Sequence, residues 1–154
     1  MANHQDVDRD EADTILRLRK TAPVTEWRSV SQGRIERWRM AVGVQTEVGV
    51  FKKALVVELE CLRSARPLRE CYKLSLFKND LGAQRRVYQL DTTTVPLGQP
   101  DNHNWPHEHI GKDRPALPSC GYPATFEDAL AHFERVTNIH FEEPVESPFD
   151  FRLC

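Results

Sequence analysis

From residue 34 onward the apolar positions recur every second residue, the period of strands with one packed face and one wet face. In "RIERWRMAVGVQ" Trp38, Met40, Val42 and Val44 share a face, opposed by Arg37 and Arg39. "VFKKALVVELECL" sets Phe51, Leu55, Val57, Leu59 and Cys61 on one side, with Lys52, Glu58 and Glu60 on the other. "CYKLSLFK" alternates Tyr72, Leu74 and Leu76 against Lys73 and Ser75. "RRVYQLDTTT" alternates Tyr88 and Leu90 against Gln89 and Asp91. The links are the short stretches "TEVG", "RSARPLRE" and "NDLGAQ", the last with Gly82 available for positive φ. Four consecutive strands with short links predict a four-stranded antiparallel meander.

Two segments change to the helical period. In "DRDEADTILRLRK", residues 8 to 20, Asp8 can cap the first turn and Glu11 stands at capping-box spacing. Acidic residues begin this segment and basic ones end it, as the helix dipole favours, and Pro23 stops it. "TFEDALAHFERV" predicts a second helix capped by Thr125, with Phe126, Leu130 and Phe133 inward. Residues 95 to 123 carry six prolines, which predicts a long irregular loop. The acidic tail "NIHFEEPVESPFDFRLC" predicts a last strand followed by a loose arm. The expected whole is one α+β domain over 1–154, with the meander, an N-terminal helix, a C-terminal helix packed on one face, and mobile ends at 1–7 and 142–154.

Composition bounds this picture without naming a chemistry. A chain of 154 residues supports one core, and 40% hydrophobic with 29% charged residues suits a wet surface. No apolar run approaches the roughly 18 residues of a membrane span. The start "MANHQDVDRDEAD" is acidic and lacks the basic-then-apolar order of a signal peptide, so a cytoplasmic location is expected. Cys61, Cys71, Cys120 and Cys154 form no CxxC pair and read as free thiols.

The net charge of −2 conceals an asymmetry. Residues 28–90 hold 13 Lys or Arg against 6 Asp or Glu, residues 91–154 hold 4 against 11, and residues 1–27 hold 4 against 6, so +7, −7 and −2 return −2. Arg34, Arg37, Arg39, Lys52 and Lys53 come from two adjacent predicted strands. Such a patch suits a phosphate backbone or an acidic partner, with solubility as the plain alternative.

The candidate chemistry lies in "DNHNWPHEHIGKDR", residues 101–114, where His103, His107 and His109 gather around Trp105 and Pro106. His107 and His109 are two apart, so in an extended segment both rings point the same way. Three readings stay open. As general acid and base, His107 and His109 with His103 as helper can cleave RNA without a metal, while Arg86, Lys112 and Arg114 hold phosphate and Trp105 stacks a base. Alternatively, His103, His107 and His109 with Asp91 can hold zinc and leave a position for water. The third reading is structural: histidine, tryptophan and proline simply fix an irregular loop. No Gly-rich phosphate loop, G-x-S-x-G or H-E-x-x-H is present, and "HEHIG" misses the last because its second histidine comes too early.

The order "RVYQLDTT", "NWPHEHIGKDR" and "TFEDALAHF" resembles TumE-type toxins of bacterial toxin–antitoxin pairs. In those proteins a strand ends in an aspartate, a proline- and histidine-rich "PHH-x-H"-like segment follows, and a helix then begins near a Glu-Asp pair. Asp91, Pro106, His107, His109 and Glu127-Asp128 fall in matching order over roughly residues 34–136. Glu108 stands where that family often has a further histidine, so no role for a histidine there carries over. The resemblance implies a small toxin acting on RNA and neutralised by a helix-turn-helix antitoxin. The element order also looks like the small RelE- and barnase-like ribonucleases, which is analogy of fold alone. A non-enzymatic inhibitor that binds a partner through its charged faces, and possible association of the chain with itself, stand beside this reading.

Overall fold

The computed structural model describes residues 5–46, 55–65, 68–95, 105–118 and 121–149. His103, Lys52, Lys53, Cys120, Cys154 and the outermost residues 1–4 and 150–154 lie outside them. The N-terminal helix α1 runs over Arg9–Arg17, with Asp8 accepting from the Glu11 amide at 2.9 Å, as the capping pattern predicts. Then follow β1 (Lys20–Ala22), β2 (Arg28–Ser29), β3 (Glu36–Gly43), β4 (Gln45–Thr46), β5 (Leu55–Ala65), β6 (Leu68–Asp80), β7 (Ala83–Thr93) and β8 (His107–Ile110). Helix α2 (Phe126–Thr137) and β9 (Ile139–Phe141) complete the described elements.

The α+β class holds, but the four-stranded meander is corrected. The four expected strands are β3, β5, β6 and β7, and they pair antiparallel in sequence order inside a six-stranded sheet, β2-β3-β5-β6-β7-β8. The two flanking strands come from segments too short or too proline-rich to show a period of two. A second sheet, β4-β1-β9, holds a parallel pair in which Lys20 stands opposite Ile139. The strand predicted over residues 34–45 is divided at Val44, so its end turns into this second sheet.

Alternation decides which side of the large sheet is core. Met40, Leu59, Leu74 and Leu90 stand in one cross-strand row, Val42, Val57, Leu76 and Tyr88 in the next, and all are buried. Both helices pack on this side: α2 against β6 and β7, and α1 against β7 and β8. Phe133 lies 5.9 Å from Tyr88, and Phe126 lies edge-on 5.9 Å from Tyr72. The Thr125 hydroxyl accepts from the Asp128 amide at 3.1 Å, and Asn138, at φ 56°, closes α2 in the left-handed region. Cys61 pairs across from Tyr72 and Cys71 from Leu62, so the two thiols face opposite sides of the sheet and both are free. Among the described residues, no helix is long and apolar enough to cross a membrane.

Candidate active site on the open face of the sheet

The residues from 95 to 123 are not all loop. Residues 107–110 form an edge strand, β8, which pairs His107 with Asp91 and His109 with Gln89. Its other edge is also occupied: the Glu108 amide donates to the Pro115 carbonyl at 3.0 Å, and the Leu117 amide donates to that of Pro106 at 2.9 Å. The prolines supply carbonyls here and need no partners of their own, which is how a proline-rich segment sustains a strand.

Strand geometry then places His107 and His109 on the side away from the helices and Glu108 on the core side. His107 is buried and His109 half-buried. Their Nε2 atoms lie 3.1 Å apart, with the rings edge to face at 4.9 Å. The His107 Nδ1 is 2.7 Å from the Trp105 carbonyl. A carbonyl only accepts, so Nδ1 carries the proton, and in a neutral His107 the Nε2 is the acceptor. The proton between the rings therefore belongs to His109 Nε2, leaving a lone pair on His109 Nδ1. The Asp91 carboxylate lies 3.9 Å from the His107 Nε2.

Cations surround the pair. Burial, reinforced by the charges of Arg86, Arg114 and Lys73, lowers the pKa of His109 to about 3, so it is neutral near pH 7. Arg86 reaches this face because of a bulge. The β6–β7 register shifts between Leu76 and Phe77, leaving Val87 as an extra residue. In a regular strand, residues three apart face opposite sides. With the bulge, Arg86 Nη1 donates to Gln89 Oε1 at 3.1 Å, while Val87 and Tyr88 are both buried. Gln89 passes the chain on to Ser75 Oγ at 2.8 Å, and Arg86 Nη2 pairs with the buried Asp6 carboxylate at 3.0 Å.

The structure thus brings together His107, His109, Asp91 and Arg86, with Arg114 exposed but close enough for its charge to act on His109. Trp105 contributes its backbone carbonyl, while its indole donates to the Leu117 carbonyl at 3.2 Å and leans on Tyr122. Lys112 stands exposed at the tip of the turn after β8. Histidine 140, on β9, is exposed in the second sheet. Among the described residues, no three His, Cys, Asp or Glu side chains are grouped to hold a metal ion.

On the core side a second polar cluster escaped the sequence reading. Glu108 Oε1 accepts from the Tyr88 hydroxyl at 2.6 Å and from His132 Nε2 at 2.7 Å, and Arg135 donates to His132 Nδ1 at 3.0 Å. Arginine can only donate, so His132 carries its proton on Nε2. Burial alone would raise the Glu108 carboxyl; the hydrogen bonds from His132 and Tyr88, with the charge of Arg135, outweigh it and hold the group below the ordinary carboxylate range. The available signal was the strand itself: a carboxylate between two outward histidines must point inward, where it needs donors.

Fold and site together define an α+β domain with an imidazole pair in a basic setting on the face of its six-stranded antiparallel sheet opposite the helices. No protein-family model, curated protein or solved structure matches the chain.

Proposed function

We propose that the chain is a small toxin-like hydrolase of phosphodiesters, with RNA as its substrate, in which His107 and His109 work as one proton-relay unit without a metal. The observation that carries this reading is the 3.1 Å contact between their Nε2 atoms beside Arg86, Lys73 and Arg114. In-line attack puts the entering and leaving oxygens on opposite sides of phosphorus, too far apart for two touching imidazoles to serve one each. The pair therefore acts as a single base that shares one proton, and the leaving oxygen is protonated from solvent. His109 Nδ1 takes the proton of a 2′-hydroxyl as its own Nε2 proton passes to His107 Nε2, and the resulting imidazolium is stabilised by Asp91 and the Trp105 carbonyl. The 2′-oxygen bonds to phosphorus, the bond to the 5′-oxygen breaks, that oxygen takes a proton from water, and the relay gives its extra proton back to solvent through His109 Nδ1. A 2′,3′-cyclic phosphate and a 5′-hydroxyl result. Arg86, Lys73 and Arg114 supply the positive field for the developing charge.

One observation favours a second reading. Two imidazole nitrogens bound to one zinc at about 2.0–2.1 Å stand roughly 3 Å apart, and a ligand histidine commonly donates its other N–H to a carbonyl. The three nearby cations oppose a dication at the same spot and attract phosphate, so the metal-free reading ranks first.

Cleavage of single-stranded RNA by the full chain tests both. The expected result is cyclic-phosphate product, insensitivity to EDTA, and a loss of about 10²–10⁴-fold in His107→Ala and His109→Ala. Loss with EDTA and recovery with zinc moves the assignment to the metal. An inactive wild type, or active variants, ends the reading. The toxin setting and its helix-turn-helix partner rest on the sequence resemblance alone; growth arrest on expression that His107→Ala relieves supports them, and arrest that persists in the variant counts against them.

A further inference from the structure

A groove of about 620 Å³ opens beside β3, lined by Trp27, Trp38, Met40, Pro144, Glu26 and Glu146 among others. That volume falls within the roughly 300–1,000 Å³ of small-ligand sites. Both indoles are held in place. Trp27 Nε1 donates to the Glu146 carbonyl at 2.8 Å and its ring meets Phe126 edge-on at 6.0 Å, while Trp38 Nε1 donates to Glu36 Oε2 at 2.8 Å. With their N–H groups engaged, the rings have only carbon and π surface to offer a ligand. The ionisable groups of the described lining are the carboxylates of Glu26 and Glu146, both on exposed residues, and no Lys, Arg or His joins them.

From this pairing of fixed indoles with carboxylates in the groove lining, we propose that the groove binds a small organic cation with an apolar body, such as a quaternary alkylammonium. The quadrupole of an indole attracts a cation over its face, and an ammonium bearing methyl groups loses less hydration on entering such a site than a bare one. The apolar wall takes the alkyl part and the two carboxylates oppose its charge. Neutral and anionic molecules of the same length lack one or both attractions. The groove is wider than a single side chain requires, which favours a free small molecule over one residue of a partner. This site is separate from the imidazole pair and stands or falls without it.

Calorimetric titration of the full chain with hexyltrimethylammonium, hexanol and hexanesulfonate tests the proposal. The expected result is saturable binding of the cation, at least tenfold weaker binding of hexanol, and none of the sulfonate. Trp38→Leu and the double variant Glu26→Gln/Glu146→Gln each weaken the cation at least fivefold, while circular dichroism shows both folded and any RNA cleavage is unchanged. Equal binding of cation and alcohol overturns the proposal, as does cation binding unmoved in both folded variants. A lysine-containing peptide that binds where the free cation does not also overturns it, and assigns the groove to a protein partner.

Discussion

His107 and His109 show what a two-residue spacing achieves once it lies on a strand. The spacing alone placed both rings on one side, and the separation of their Nε2 atoms follows from that placement. What the spacing did not carry is the environment: Arg86 arrives through a bulge and Lys73 through cross-strand pairing with Asp91. Glu108 was legible in principle, because it sits between two outward residues, but its partners Tyr88 and His132 come from distant positions. The His109 pKa has a consequence for stability. The ring titrates at about 3 in the folded chain and near 6.5 when unfolded, so the unfolded state holds more protons between those values. Its contribution is therefore complete above pH 6.5 and lost as pH falls toward 3. Because the ring is half-exposed, the effect is discounted to about 1–2 kcal/mol. Denaturant titrations at pH 7 and pH 4.5 should show His109→Gln losing less stability on acidification than the wild type. Equal losses in the two proteins would refute the assignment.

At the level of elements, the alternating strands and the capped helices were readable because local chemistry determines them. Strand β8 was not, because six prolines between residues 95 and 123 read as punctuation, whereas here proline carbonyls serve as acceptors along one strand edge. The turn that ends β8 depends on Gly111. Its φ is +56°, its amide donates to the Val87 carbonyl at 2.8 Å, and an added Cβ would stand 2.7 Å from the backbone oxygens of Val7 and Asp8. Those are main-chain atoms at the start of α1, so they cannot swing aside as a side chain would. The Val7 amide also donates to the Arg86 carbonyl at 3.1 Å, so the N-terminal segment, the bulge and β8 meet at this glycine. Gly111→Ala is expected to cost about 3 kcal/mol, combining left-handed strain with the clash. A shift in denaturation midpoint worth under about 0.5 kcal/mol, the size of an ordinary surface substitution, would show that this junction gives way more easily than its contacts indicate.

For the whole molecule, the decisive long-range feature is a lysine that no periodicity announces. Lys20 is buried, and its ammonium donates to the carbonyls of Leu18 and Thr137, each at 2.6 Å, and toward Leu16 at 3.4 Å. Those carbonyls lie at the C-terminal ends of α1 and α2, where the backbone dipoles present negative charge. Lys20 also sits in β1 opposite Ile139, so one side chain joins both helix ends to the sheet that local reading missed. Parallel pairing between β1 and β9 requires contacts more than a hundred residues apart, which short-range alternation cannot encode. Burial lowers the Lys20 pKa to about 8 although three carbonyls favour its charge. The unfolded chain keeps that proton to about 10.4, so between the two values the unfolded state binds more protons and this group makes stability rise with pH. The rise amounts to about 1–3 kcal/mol across the window. Denaturant titrations of the wild type and Lys20→Met at pH 7.5 and 9.5 isolate it, since the other titrating groups are common to both. The stability of the wild type relative to the variant should increase by about 1–2 kcal/mol at the higher pH. A constant or shrinking difference would mean that the carbonyls outweigh burial, and that Lys20 ties the two helices together as a fully stabilised cation.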